Sequence, residues 1–226
     1  MTPSKPADIF LIAGGPQSKN IKTILAEVLT SCKKKDPNVV YIGTASEDNK
    51  VFFLMLKPII MAAGAGSVRL VPIVRRFDLD KAKDILLTSD IVFISGGDVD
   101  MGMEYLRKRN LIPFLKVLYD RGKLFCGISA GAIMLCRNWM HWRDPDDDDT
   151  AELLDCLGFA PLLCDVHAEE DNWVEMKRLL GFFPQGTVGY GIPAEGALRV
   201  TPNGKITAIG SAPIRLTKKG ANVIIV

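Results

Sequence analysis

Histidine is scarce in this 226-residue chain: there are only two, His141 and His167. Any acid–base chemistry through imidazole therefore has two candidates. Charge of one sign is also lacking. Twenty-eight basic and 26 acidic residues leave a net charge of +2, which excludes a strongly basic nucleic-acid or membrane-surface binder. No apolar run approaches the ~20 residues a bilayer span needs; Gly, Pro or charge interrupts each one. Met1 to Pro6 lacks the charged-then-apolar layout of a secretory leader, and Ile9 to Ala13 is too short for a leader core before Gly14-Gly15. The five cysteines (Cys32, Cys126, Cys136, Cys156 and Cys164) show neither zinc-finger nor CxxC spacing. An odd number without such spacing suggests free thiols in a reducing, cytoplasmic setting. What the chain has in plenty is core: 48% hydrophobic against 24% charged residues, the balance of a folded globular protein. Its length favours a single α/β domain over residues 1–226.

Short apolar runs alternate with longer amphipathic ones. Strands are expected at Asp8 to Ala13, Asn38 to Ile42, Val68 to Val74, Asp90 to Ser95 and Lys123 to Cys126. Helices are expected over 18–32, 51–63 and 79–87, within Met101 to Tyr119, and after Gly131. Continuous apolar strands each followed by a helix predict a doubly wound, mostly parallel sheet with helices on both faces. Val188 to Ile192, Ala197 to Val200, Ile206 to Ile209 and Val223 to Val226 read as extra C-terminal strands, partly antiparallel, added to that sheet. The acidic run Asp144 to Asp149 reads as a solvated loop, because its spacing and the missing later Glu do not make a calcium loop.

Ligands in such sheets gather at the carboxyl ends of the strands, where Gly14-Gly15, Gly96-Gly97 and Gly127 to Gly131 fall. Gly127-Ile-Ser-Ala-Gly131 has the form G-x-S-x-G between a strand and a helix. The glycines permit a sharp turn that exposes the Ser129 hydroxyl. A serine nucleophile needs a base. His167 follows a short apolar segment and is preferred to His141, which sits between large aromatics and the acidic loop. Glu195, in a glycine-flanked turn between two short strands, is the expected carboxylate behind the base; Asp165 ranks lower. The N–H groups of Gly97 and Ala130 are the expected oxyanion donors, and Asp98 a substrate-binding residue. Gly14-Gly15 is neither a GxGxxG nor a P-loop, so no nucleotide site is expected. No metal or organic cofactor is required by this chemistry. Arg75, Arg76, Arg137 and Arg143 are candidates for anchoring a substrate carboxylate, against a solvated or structural role.

Ser95-Gly-Gly-Asp98 paired with Gly127-Ile-Ser-Ala-Gly-Ala132, then His167 and Glu195, resembles the peptidase E (aspartyl dipeptidase) and cyanophycinase family of serine peptidases. The resemblance runs from Ile9 to about Leu198. It implies a class I glutamine amidotransferase-like, flavodoxin-like fold and a Ser129–His167–Glu195 triad in that chain order. It also implies backbone oxyanion donors matching Gly97 and Ala130, and a small peptide or isopeptide substrate. Peptidase E members usually carry Asn where this chain has Asp98, whereas cyanophycinase-like members tolerate Asp. An aromatic is expected after the histidine, where this chain has Ala168. Two alternatives stand beside the peptidase: a non-catalytic small-ligand-binding relative, and an α/β-hydrolase-type esterase, whose triad order would differ. The expected partner is the peptide substrate alone, with no nucleic acid and no membrane; a homodimer stays open.

Overall fold

The computed structural model describes residues 5–144 and 146–226. Met1 to Ser4, read above for a leader, and Pro145 of the acidic run lie outside the described residues. The elements in chain order are β1 (Ile9–Ile12), α1 (Ile21–Ser31), β2 (Asn38–Ile42), α2 (Lys50–Ala62), β3 (Ser67–Val71), α3 (Leu79–Leu87) and β4 (Ile91–Ile94). There follow α4 (Val99–Lys108), α5 (Ile112–Asp120), β5 (Leu124–Ile128), α6 (Ala130–Leu135), β6 (Asn138–Trp142), β7 (Ala151–Asp155) and β8 (Leu163–Val166). Last come α7 (Val174–Gly181), β9 (Val188–Ile192), β10 (Gly196–Val200), β11 (Ile206–Gly210), β12 (Ile214–Lys219) and β13 (Asn222–Ile225).

Seven strands form the main sheet in the order β11-β10-β1-β5-β4-β2-β3. The run from β1 to β3 is parallel throughout, while β10 and β11 join antiparallel. The apolar strands bury both faces, as their lack of polar alternation predicts. Ile9, Leu11, Val40, Ile42, Val92 and Ile94 face one core; Phe10, Ile12, Val39, Tyr41, Ile91 and Phe93 face the other. Helix α1 covers the second core with Ile21, Ile24, Leu25, Val28 and Leu29, an i, i+3, i+4 stripe. Helices α3, α4 and α5 cover the first with Ala82, Leu86, Met103, Leu106 and Leu115. This is the doubly wound α/β sheet expected from the alternation of elements.

The structure departs from the expected elements in several places, and it adds α7 and β12, which the sequence reading did not include. The segment 101–119 is two helices, because Pro113 lacks the N–H a continuous ladder needs and Asn110 turns the chain at φ 51°. Only β10 and β11 of the C-terminal strands join the main sheet. β9, β12 and β13 instead form a separate four-stranded sheet with β8, in the order β13-β12-β9-β8. The β6–β7 hairpin brackets the acidic run and lies outside both sheets. The second sheet matters for the site because β8 runs parallel to β9, Val166 opposite Ile192, and so delivers the residue after β8 to a fixed place.

Candidate active site

Ser129 follows β5 directly and precedes α6. Its backbone is held at φ 52°, ψ −125°, a region that costs a side-chain-bearing residue of order 1–3 kcal/mol. The turn persists because its neighbours over-determine it. The Ser129 N–H donates to the Ile12 carbonyl at 2.8 Å, extending the β1–β5 pairing by one residue. A Cβ on Gly127 would lie 2.1 Å from the Gly131 carbonyl oxygen, and one on Gly131 would lie 2.2 Å from that of Ile94. Only glycine fits at either position, which accounts physically for both glycines of G-x-S-x-G.

His167 is the first residue past β8. Its N–H donates to the Ile192 carbonyl at 2.9 Å, which carries the β8–β9 pairing one step further, and its φ is 45°. From there its Nε2 lies 2.8 Å from Ser129 Oγ. Two strand ends from two different sheets thus meet at one hydrogen bond.

The glycine pair after β4 forms the opposite lip. Gly97 has φ 137°, and a Cβ there would lie 1.8 Å from the Ala45 carbonyl oxygen. Asp98 donates its N–H to that same carbonyl at 2.7 Å, and its Oδ1 accepts the Met101 N–H at 2.8 Å, capping α4. Gly97, Asp98, Ser129, Ala130 and His167 all border one cleft of ≈ 330 Å³.

Glu195 is engaged elsewhere. One carboxylate oxygen accepts the Ser18 hydroxyl at 2.8 Å and the Asn20 N–H at 3.1 Å; the other accepts the Lys19 N–H at 3.2 Å. The Ser18 hydroxyl, then the two N–H groups, hold its carboxyl below the ordinary range. Among the described residues no hydrogen bond joins Glu195 to the His167 ring. The glycines around Glu195 turn the chain, as read from the sequence, but the turn presents the carboxylate to the entry of α1. The turn still stands near the base, since Glu169 Oε1 accepts the Ala194 N–H at 2.8 Å.

Asp165 is buried, 3% exposed, and borders the same cleft. Its Oδ1 accepts the Val166 N–H at 2.7 Å, its Oδ2 is enclosed, and the Met176 N–H at the start of α7 also favours the ionised carboxyl. Burial pushes its carboxyl up to about 7, and the charges of Glu175 and Asp171 add to the rise. Asp171 and Glu175 also border the cleft. Sequence reasoning passed over both; the available signal was a stretch from Asp165 to Met176 with five acidic residues and no Lys or Arg.

The remaining candidates lie apart from the cleft. His141 pairs through Nδ1 with Asp100 at 2.8 Å. Arg143 pairs with Glu152 at 2.8 Å, and Arg137 lies over the Phe183 ring, 5.6 Å from its centroid. Arg75 and Arg76 line a different pocket beside Ser46 to Lys50. Among the described residues no group of His, Cys, Asp and Glu could hold a metal ion, and no helix is long and apolar enough to cross a membrane.

A strained serine between a parallel strand and a helix, touching an imidazole, is the architecture of enzymes that carry an acyl group on a side-chain oxygen. The chain belongs to peptidase family S51, whose model matches residues 9–208, and is a serine-type hydrolase of peptide bonds. Its fold is similar to that of a peptidase from an acI-B1 Actinobacterium, with a TM-score of 0.76 and 16% identity over 98% of this chain and 94% of that one. It is also similar to a candidate peptidase E protein from Listeria monocytogenes EGD-e, with a TM-score of 0.66 and 16% identity over 92% of this chain and 100% of that one. No curated protein sequence matches the chain.

Proposed function

We propose that the chain hydrolyses short peptides or isopeptides through an acyl-enzyme on Ser129. The observation that carries this reading is the 2.8 Å contact between Ser129 Oγ and His167 Nε2 at a strained elbow. In the first half-reaction the Ser129 oxygen bonds to the substrate carbonyl carbon and its proton passes to His167 Nε2. The carbonyl oxygen, now carrying the negative charge, receives the N–H groups of Gly97 and Ala130. Loss of one such donor typically costs ~3 kcal/mol of transition-state stabilisation. The C–N bond then breaks, and His167 returns the proton to the departing amine. In the second half-reaction His167 takes a proton from water as the water oxygen bonds to the acyl carbon; the acyl–Oγ bond then breaks and His167 returns that proton to Ser129 Oγ, releasing the carboxylic acid product.

Glu195 enters this reading behind the base rather than on it. It ties the turn after β9 to residues 18–20, and Ile192 of β9 holds the His167 backbone. A cleft of ≈ 330 Å³ favours short substrates over folded proteins. The chain acts as one catalytic unit in a reducing compartment such as the cytoplasm, a reading supported by five free thiols that include the close pair Cys136 and Cys164.

A non-catalytic ligand-binding relative would tolerate a wide separation of serine and imidazole, and 2.8 Å argues against it. The test is replacement of Ser129 by Ala together with fluorophosphonate labelling. Hydrolysis of a mixed di- and tripeptide panel should vanish in Ser129→Ala, and the label should attach to the wild-type serine. Unchanged turnover in the variant would end the proposal.

A further inference from the structure

Helix α2 breaks the pattern of the helices around it. Leu56 and Ile60 pin it to the second core, and Asn49 Oδ1 caps its start by accepting the Val51 and Phe52 N–H groups at 2.8 and 3.3 Å. The opposite face of such a helix, turned to solvent, is ordinarily polar. The neighbouring α1 obeys that rule, with Lys22, Thr23 and Thr30 outward. On α2 the outward positions are Val51, Leu54, Pro58 and Met61, with Met55 and Ala62 beside them, and all six are exposed. Val51 is 66% and Leu54 63% exposed. Among the described residues no other helix leaves more than one large hydrophobic side chain exposed.

The order of these residues points to what covers them. From Val51 through Leu54 and Pro58 to Met61 the intervals are three, four and three residues, the seam spacing of paired helices. They read the same from either end. A second copy related by a twofold axis lays an antiparallel α2 on the first and meets the same intervals. Charge suits that arrangement. Helix α2 contains no Asp or Glu, and its only cations are Lys50 and Lys57. Lys57 is drawn back over the Phe53 ring, 5.6 Å from its centroid. Lys50 stands at the helix start, so in an antiparallel pair it meets the carbonyl end of the other helix, where the helix dipole is negative.

The area is sufficient as well. Half-exposed side chains of this size remove on the order of 500 Å² per copy when covered, and two copies together reach about 1,000 Å², where specific interfaces begin. A membrane surface is a poorer match. A helix lying in a bilayer interface sets a strongly charged face against its apolar one, whereas the other face of α2 is core.

We infer that this face is a twofold interface between two copies of the chain, formed by antiparallel packing of α2 on its symmetry mate. In the main sheet β3, against which α2 packs, stands three strands from β5, so association and the chemistry at Ser129 are separable.

Sedimentation equilibrium of the full chain, at concentrations up to about 100 μM, tests this. The wild type should sediment at twice the 24.8 kDa of one chain. Leu54→Glu, which buries an unpaired carboxylate in the seam, should weaken association at least about a hundredfold. Val51→Glu should do the same, and an acid in the first turn suits the helix, so it carries the test if Leu54→Glu fails to fold. Leu87→Glu, at an exposed leucine of α3, should leave the dimer intact. Circular dichroism melting establishes that each variant is folded. A wild type that stays monomeric at the highest concentration, a dimer that survives both α2 variants, or one lost equally in Leu87→Glu overturns the inference. So does a monomeric wild type that floats with vesicles of phosphatidylcholine and phosphatidylglycerol, which would assign the face to a membrane.

Discussion

Glu195 accepts the hydroxyl of Ser18 at 2.8 Å, and so holds the loop after the first strand to the turn after β9. An acid in direct contact with the base would fix its tautomer, and its loss costs on the order of 10⁴-fold in kcat. An acid acting through the backbone costs far less. Glu195→Gln is therefore expected to lower kcat only about tenfold, with the pH profile of kcat keeping its shape. Steady-state kinetics across pH check this. A fall of several thousand-fold would put the carboxylate on the imidazole during turnover.

The same carboxylate links stability to pH. Its folded value lies below the ordinary 4.5, so its contribution is complete above that pH and is lost as the pH falls through the folded value. Thermal unfolding of the wild type and of Glu195→Gln should diverge above pH 4.5 and converge in stronger acid.

Asp165 has the opposite sign. Its carboxyl stands at about 7 in the folded chain against 3.8 ordinarily, so the folded state holds its proton more tightly than the unfolded one. Stability is then lost as the pH rises from 3.8 to about 7 and is flat beyond. Asp165→Asn keeps an oxygen for the Val166 N–H and removes the titration. Above neutrality it should be more stable than wild type by on the order of 2 kcal/mol, a gap that closes toward pH 4. Denaturant unfolding at several pH values measures it.

Ser129 sits at φ 52°. Ser129→Gly should relieve the backbone and raise stability by about 1 kcal/mol, while hydrolysis disappears. His167→Ala should lose as much activity as Ser129→Ala, and the double variant no more than either, as the proposed Ser129–His167 pair requires. Unfolding curves and kcat/KM for the three variants check both statements.

Gly97 admits no side chain, since a Cβ would lie 1.8 Å from the Ala45 carbonyl oxygen. Gly97→Ala should cost at least about 3 kcal/mol, or shift the lip enough to abolish turnover in whatever fraction folds. Circular dichroism melting and activity of the soluble fraction are the measurements.

The local pattern of the chain was enough for the main sheet, because strands buried on both faces must be apolar throughout and helices covering them must carry a stripe. Leu79–Leu87 is a helix at the bounds its periodicity predicted, and Ile9–Ile12 and Ile91–Ile94 lie within the expected strands. The serine turn was legible for a similar reason: two glycines and a small residue around Ser129 answer to clashes within one stretch of backbone and the neighbouring strand. Pattern could not say which sheet β9 and β13 would join, since a short strand reads alike in either, and it did not pick out β12 between them. The partners of Glu195 and Asp165 were equally out of reach. A carboxylate in a glycine-rich turn reads the same whether it meets an imidazole or a helix entry, and only the docking of β8 and β9 against the main sheet decided that. Long-range placement also gathered Asp98, Asp165, Asp171 and Glu175 around one cleft. Charge acts through space, and a chain with a net charge of only +2 gives no hint of where its negative residues converge.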